Sequence, residues 1–161
     1  YLYTNKARKA RNQGRMMLYL GSDHGGFALK ERLDAFLNER GIAYEDLGTH
    51  NTQSCDYPEF AALVATRVQA DIAHRGILIC TSGVGMAIAA NKFRGIYAAR
   101  LTQPDEVKIA RQHNGINVLC LPGNIAANLA CEMVDLFLKT PLDMSDRHQH
   151  RRQIIADFEK Q

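Results

Sequence analysis

Short apolar segments alternate along this chain with longer segments of helical periodicity, and the alternation constrains the possible fold more than any other feature. The apolar segments span residues 17–20, 42–47, 77–80, 96–99 and 117–121. In the intervening segments, apolar residues recur every three or four positions, which is the spacing of an amphipathic helix. Strands that alternate with helices form parallel βαβ units, with helices on both faces of the sheet. We therefore predict an α/β fold of three layers around a five-stranded parallel sheet in the order 2-1-3-4-5.

The length and the charge distribution indicate one domain preceded by a basic segment. A chain of 161 residues suits a single domain with its own core. The sequence contains no run of about 18 apolar residues, so we predict no membrane partner. Residues 1–16 contain five of the 20 Lys and Arg residues and no acidic residue. We predict that residues 1–16 are a disordered or non-native leader, with a transit peptide as the alternative, and that residues 17–161 form the domain. The domain has no basic stripe with interleaved aromatic residues, so we predict no nucleic-acid partner.

The cysteines indicate a reducing compartment rather than a disulfide or zinc framework. They are Cys55, Cys80, Cys120 and Cys131. They form no Cys-x-x-Cys pair and no cluster with the ligand spacing of a zinc site. Cys120 and Cys131 lie in apolar segments and are most simply core residues. We therefore predict a cytoplasmic protein without a bound metal ion.

Two glycine-rich segments follow predicted strands and are expected to meet in space. The first strand ends in GSDHGG at residues 21–26, and the third ends in CTSGVG at residues 80–85. In an open parallel sheet, ligands bind beyond the carboxyl ends of neighbouring strands, where the strand order reverses. The predicted order places these two strands side by side. We therefore expect Asp23 and His24 to lie near Cys80.

Each of these segments alone has a common structural interpretation. Asp23 is more typical of a helix cap than of a catalytic carboxylate. Gly83 and Gly85 are typical of a tight turn as well as of a loop that binds an anion at a helix N-terminus. A cysteine at the end of a strand, such as Cys80, is more often a buried thiol than a reactive one. Only the convergence of the two segments favours a functional site.

Two further segments carry polar side chains that have both a structural and a functional interpretation. The motif RQHN places His113 and Asn114 at a predicted helix end, where both residue types are also common for structural reasons. The segment 146–161 is predicted to form a terminal helix, and Arg147 and Arg151 share one face of it. Paired guanidinium groups bind phosphate well, although a solvated basic face is the simpler interpretation.

Taken together, these motifs resemble those of the type B ribose-5-phosphate isomerases, a family shared with allose-6-phosphate and galactose-6-phosphate isomerases. The matching motifs, from Met17 onward and in family order, are GSDHGGFALK, DYP, GILICTSGVGMAIAANK, RQHN and RHQHRR. The resemblance implies a flavodoxin-like or Rossmann-like domain that forms a homodimer or tetramer with active sites shared between subunits. It also implies that the terminal helix packs on a partner subunit.

The resemblance further implies that the chain interconverts ribose 5-phosphate and ribulose 5-phosphate through a cis-enediol. Cys80 would move a proton between C1 and C2, while Ser82 and the backbone N–H groups of its loop would stabilise negative charge. His113, assisted by Asp23, would open the furanose ring. The substrate-binding residues would be His24, Tyr57, Thr81, Gly83, Val84, Gly85, Asn114, Asn124, Arg147 and Arg151. No cofactor is expected, because the substrate carbonyl itself acidifies the neighbouring carbon.

Two positions depart from the family pattern. Some members carry a catalytic Glu where this chain has Met86, so the resemblance leaves Cys80 as the base. Many members carry a phosphate-directed Arg where this chain has Asn124, which implies weaker phosphate binding or a different sugar.

Other functions stay open at this point. They are isomerisation of a 6-phosphohexose, namely allose or galactose 6-phosphate, and a non-catalytic role as a sugar-phosphate-binding regulatory module. Ribose 5-phosphate is favoured because the full catalytic set lies in one chain. A low-molecular-weight tyrosine phosphatase is disfavoured, because it needs an Arg at the position of Met86, and a receiver-like module needs a phosphoacceptor Asp where Cys80 stands.

Overall fold

The computed structural model describes residues 15–161, so the predicted leader lies almost entirely outside the described part of the chain. The strands are β1 (Leu18–Ser22), β2 (Tyr44–Asp46), β3 (Arg75–Cys80), β4 (Ala98–Arg100) and β5 (Val118–Pro122). The helices are α1 (Phe27–Glu39), α2 (Tyr57–Gln69), α3 (Val84–Ala90), α4 (Pro104–Ile109), α5 (Ala127–Lys139) and α6 (Asp146–Asp157). Helix α4 continues as a π-helical turn over Ala110–Asn114, and α6 continues as a 3-10 turn over Phe158–Lys160.

The strands form one parallel sheet in the order β2-β1-β3-β5-β4. The predicted order 2-1-3-4-5 is therefore wrong in its last two positions. Strand β5 is apolar and buried along its whole length, whereas β4 has three residues and ends at the exposed Arg100. The longer buried strand takes the interior position, and the short strand lies at the edge, where one side has no partner strand among residues 15–161. Strands β1 and β3 are neighbours, as predicted.

Helices cover both faces of the sheet and complete the three predicted layers. Helices α1, α4 and α5 pack on one face, and α2 and α3 pack on the other. The predicted helix periodicity is confirmed in α1, where Leu29, Leu33 and Leu37 are buried. Burying one such leucine contributes about 1.5–3 kcal/mol, so these apolar stripes decide which side of each helix meets the sheet.

The terminal helix α6 lies where the sequence predicts a helix. Helix α6 and the 3-10 turn that follows it expose three apolar side chains, Ile154, Ile155 and Phe158, which are 43%, 42% and 60% accessible. The predicted packing of this helix on a partner subunit stays a prediction. Within residues 15–161, no helix is both long enough and apolar enough to cross a membrane.

Candidate active site

The loops that follow β1 and β3 lie side by side at the carboxyl edge of the sheet, which is the edge where its parallel strands end. The backbone N–H of Asp23 donates to the carbonyl of Ile79 over 3.2 Å, and Gly26 packs closely on the same peptide group. A cavity of about 430 Å³ opens at this junction. It is lined by Asp23, Tyr57, Cys80, Thr81, Ser82, Val84, Gly85 and Ile88. The structure thus brings together the two segments that the sequence predicts to converge.

Cys80 is the last residue of β3 and is only 5% exposed. The backbone N–H of Gly83 donates to its sulfur over 3.2 Å. Gly83 adopts a left-handed conformation with φ of +77°, which glycine tolerates because it has no Cβ. This turn directs an N–H at the sulfur, and such a donor interacts more strongly with a thiolate than with a neutral thiol. The loop therefore supplies the Cys80 sulfur with a backbone hydrogen-bond donor.

Two hydroxyl side chains follow the cysteine and are exposed at the cavity. The oxygen of Ser82 accepts the N–H of Val84 over 3.2 Å, which leaves the Ser82 hydroxyl proton for a ligand. Thr81 lies against Gly25 and so joins the two loops. Hydroxyl donors in this place can stabilise negative charge that develops on a bound substrate.

Asp23 has both a structural and a cavity-facing role. It is 6% exposed, and its Oδ1 accepts the N–H groups of Gly25 and Gly26 over 2.9 and 3.1 Å. It therefore caps the turn before α1, as its sequence position suggests. It also lines the cavity. Because Oδ1 takes both backbone donors, Oδ2 is the oxygen that a substrate hydroxyl can meet.

Tyr57 and His24 differ in their relation to the cavity. Tyr57 begins α2 and packs on the first turn of α3, since a Cβ at Gly85 would lie 2.6 Å from the tyrosine ring. His24 is exposed and is not among the described residues that line the cavity. Its Nδ1 accepts the backbone N–H of Cys55 over 3.3 Å, which leaves the proton of the neutral ring on Nε2. His24 can therefore donate a hydrogen bond from Nε2 to an anion.

The two positions that depart from the family pattern, Met86 and Asn124, lie near the loop of Cys80. Met86 is completely buried in the core formed with α2 and α3, so its side chain does not reach the cavity. Asn124 is exposed just beyond β5, at the carboxyl edge. The N–H of the preceding Gly123 donates to the carbonyl of Cys80 over 2.8 Å. Asn124 therefore lies beside the loop of Cys80 but outside the residues that line the cavity.

A second group of predicted site residues is also absent from the described lining of this cavity. Its members are His113, Asn114, Arg147 and Arg151. His113 and Asn114 precede β5, so they lie at the amino edge of the sheet, where the strands begin. Helix α6, which carries the two arginines, packs against the same π-helical turn. Within one chain, this second group and Cys80 are therefore at opposite edges of the sheet.

Three residues that the sequence analysis did not assign hold this second group in place. Arg152 donates to the carbonyls of Gln112 and His113 over 3.2 and 3.1 Å, and the buried Arg111 donates to two further carbonyls. The ring of His148 stacks on that of His113, with centroids 4.0 Å apart and planes inclined by 12°. Burial, together with the charge of His113, lowers the pKa of His148 and favours a neutral ring. All three lie within the motifs RQHN and RHQHRR, and this was the sequence signal that could have identified them.

His113, Asp143 and His148 have potential metal-ligand atoms within 4.8 Å of one another. A metal ion needs nitrogen lone pairs that converge in the planes of the two rings, but these rings are stacked and nearly parallel. The positive charges of Arg147 and Arg151 also act on His148. The arrangement therefore fits acid–base chemistry better than a metal centre.

A family model for ribose/galactose isomerases matches residues 18–155. This chain belongs to that family. The isomerase is 41% identical over 141 residues to ribose-5-phosphate isomerase B of Escherichia coli K12, a match that covers 87% of this chain and 94% of the relative. Among solved structures, the ribose 5-phosphate isomerase of Thermotoga maritima is 44% identical, with a TM-score of 0.83 over 88% of this chain and 97% of that one. The Mycoplasma genitalium ribose-5-phosphate isomerase B with bound ribulose-5-phosphate is 37% identical, with a TM-score of 0.86 over 91% of this isomerase and 97% of that chain.

Proposed function

We propose that this isomerase interconverts ribose 5-phosphate and ribulose 5-phosphate, with Cys80 as the base. The observation that carries the proposal is the Cys80 sulfur at the cavity, with the N–H of Gly83 at 3.2 Å and Asp23 lining the same space. The names of the Escherichia coli and Thermotoga relatives, and the ribulose-5-phosphate bound to the Mycoplasma enzyme, support this choice of substrate.

The reaction requires a proton to move between adjacent carbons. The Cys80 thiolate removes the proton from C2 of the open-chain aldose, and the electrons form the C1–C2 double bond while the C1 carbonyl oxygen becomes negative. The Ser82 hydroxyl and the backbone N–H groups of its loop donate to this enediolate, and each such donor contributes about 3 kcal/mol. The Cys80 thiol then delivers its proton to C1, and the proton of the C2 hydroxyl passes to O1. The products are the ketose and the regenerated thiolate.

We further infer that ring opening and phosphate binding use the second group of residues from another copy of the chain. His113 would take the proton of the O1 hydroxyl and, as the imidazolium, deliver it to the ring oxygen O4 as the C1–O4 bond breaks and the C1 carbonyl forms. Arg147 and Arg151 would bind the phosphate through their guanidinium forks. A two-fold dimer can place the second group of one copy over the cavity of the other. The exposed apolar side chains of α6 support such an interface, because α6 also carries the two arginines.

The assignment of the base is tested by measuring ketose formation from ribose 5-phosphate in the presence of a chelator. We expect Cys80→Ala to lose about 10²- to 10⁴-fold in kcat while it still binds inorganic phosphate. Cys131→Ala is the matched control, because this thiol lies on the opposite face of the sheet, and it should keep wild-type activity. Undiminished turnover by Cys80→Ala would overturn the assignment of the base. Faster turnover of allose or galactose 6-phosphate by the wild type would overturn the choice of substrate.

The sharing of active sites is tested by mixing two inactive variants. Cys80→Ala and Arg151→Ala are each expected to lose activity. If the sites are shared in a dimer, half of the randomly mixed dimers contain one intact site, so about a quarter of the wild-type activity returns. Mixing that restores no activity, with subunit exchange confirmed by mass spectrometry, would show that each chain works alone.

A further inference from the structure

The described lining of the cavity at the carboxyl edge lacks the positive charge that a phosphorylated substrate needs. A sugar phosphate carries close to two negative charges near neutral pH. The described residues that line the cavity include the carboxylate of Asp23 but no Lys, Arg or His. Asn124, beside the loop of Cys80, is neutral. Since Arg147 and Arg151 lie at the opposite edge, a cation supplied by the same chain has to come from elsewhere on the carboxyl edge.

Arg100 lies at that edge and is tied to the loop of Cys80. It is the last residue of β4, and its Nε donates to the carbonyl of Ser82 over 2.9 Å. Its aliphatic stem packs on the same loop, since a Cβ at Gly83 would lie 3.0 Å from its Cγ. Arg100 pairs in register with Cys120, which belongs to the core on the side of α2 and α3. Its side chain therefore lies on the cavity side of the sheet, because paired residues of parallel strands share a face.

The hydrogen bond to Ser82 leaves most of the guanidinium group unused. Nε makes the contact, so the two terminal amino groups keep their four N–H donors. Arg100 is exposed, and within residues 15–161 it makes no ion pair with a carboxylate. A fixed Nε with two free amino groups is a geometry that presents parallel donors to an anion such as phosphate.

We propose that Arg100 is a substrate-binding residue of this isomerase, whose terminal amino groups bind the phosphate group of the sugar while its Nε is held by the carbonyl of Ser82. The proposal rests on the proposed function for the presence of a phosphorylated sugar in the cavity. It assigns to the chain that carries Cys80 a phosphate contact of its own, in addition to the arginines inferred to come from a second copy. The same hydrogen bond couples phosphate binding to the loop that carries Ser82.

The test compares Arg100→Gln and Arg100→Lys with the wild type. We expect Arg100→Gln to raise the KM for ribose 5-phosphate about tenfold and to raise the inhibition constant of inorganic phosphate by a similar factor, with kcat changed by less than about twofold. Arg100→Lys should be intermediate, because it keeps the charge and loses the fork. Arg94→Gln is the matched control and should keep the wild-type KM and phosphate inhibition. This exposed arginine lies before β4, and the hydrogen bond from Gln69 is accepted by its backbone carbonyl rather than by its side chain.

Two results would overturn the proposal. A fall in kcat with an unchanged inhibition constant for phosphate would show that Arg100 only positions the Ser82 loop. Equal affinities of the wild type and Arg100→Gln for inorganic phosphate in calorimetric titration would show that Arg100 does not bind the anion. The titration needs no turnover. If the wild type fails to convert ribose 5-phosphate, the proposed function fails, while the role of Arg100 in anion binding is still decided.

Discussion

Replacing Gly26 by Ala tests the contact that joins the loop of Asp23 to the end of strand β3. A Cβ at Gly26 would lie 2.7 Å from the carbonyl carbon of Ile79 and closer still to its oxygen. Two carbon atoms in ordinary contact are about 3.5–4.0 Å apart, so the loop of Asp23 has to move away from β3 by about 1 Å. Gly26 has φ of −103° and ψ of −5°, which alanine also adopts, so the cost comes from the contact rather than from the backbone conformation.

We expect two consequences of Gly26→Ala. The free energy of unfolding should fall by about 1–3 kcal/mol, as in other overpacked sites, because the obstacle is backbone that cannot rotate away. A displacement of about 1 Å between Asp23 and Cys80 should lower kcat/KM by about 100-fold. Urea denaturation and the isomerase assay measure the two effects separately.

The matched control is Gly25→Ala, one residue away. There the added Cβ meets the side-chain oxygen of Thr81, which is exposed and can rotate, and the backbone nitrogen of Thr81 is 3.2 Å away. We expect a loss of less than about 1 kcal/mol in stability and less than about tenfold in kcat/KM. Wild-type stability and activity in Gly26→Ala would refute the reasoning, because the loop of Asp23 would then not be packed against β3.

Three further predictions concern other parts of the molecule. Met86→Glu should lower the free energy of unfolding by about 3 kcal/mol or more in urea denaturation, because it places a carboxylate without a partner in a fully buried site; unchanged stability would contradict this. Burial and a hydrogen bond with Asp46 raise the pKa of Asp34 to about 7. Between pH 4 and about 7 the folded state therefore binds more protons than the unfolded state, and the protein loses stability as the pH rises through that window. Asp34→Asn should therefore be more stable than the wild type at pH 8 in urea denaturation and similar to it at pH 4, and an equal difference at both pH values would disprove the assignment. Phe158→Glu should shift sedimentation toward the monomer and reduce turnover, whereas an unchanged sedimentation coefficient would exclude α6 from the interface.

The local structure of this protein follows from its sequence because periodicity records which face of each segment is buried. The apolar segments became strands whose ends differ by at most two residues from the prediction, and Leu29, Leu33 and Leu37 became the buried face of α1. The meeting of Asp23 with Cys80 was also predictable, because parallel strands that are neighbours end at the same edge of a sheet. These properties depend on spacing along the chain, which a single sequence contains.

The tertiary structure decided the contacts between segments that are remote in sequence. The interior position of β5 depends on its burial relative to β4, and the stack of His113 on His148 depends on where α6 packs. The hydrogen bond from Arg100 to Ser82 likewise depends on the fold bringing the end of β4 over the loop after β3. No periodicity encodes such pairings, because they arise from packing through space. The sequence by itself therefore determined the elements and the edge at which Cys80 lies, and a parallel sheet also places His113, just before β5, at the opposite edge. Only the tertiary structure decided the position of β5 in the sheet and the contacts of α6 and Arg100, since these depend on packing through space.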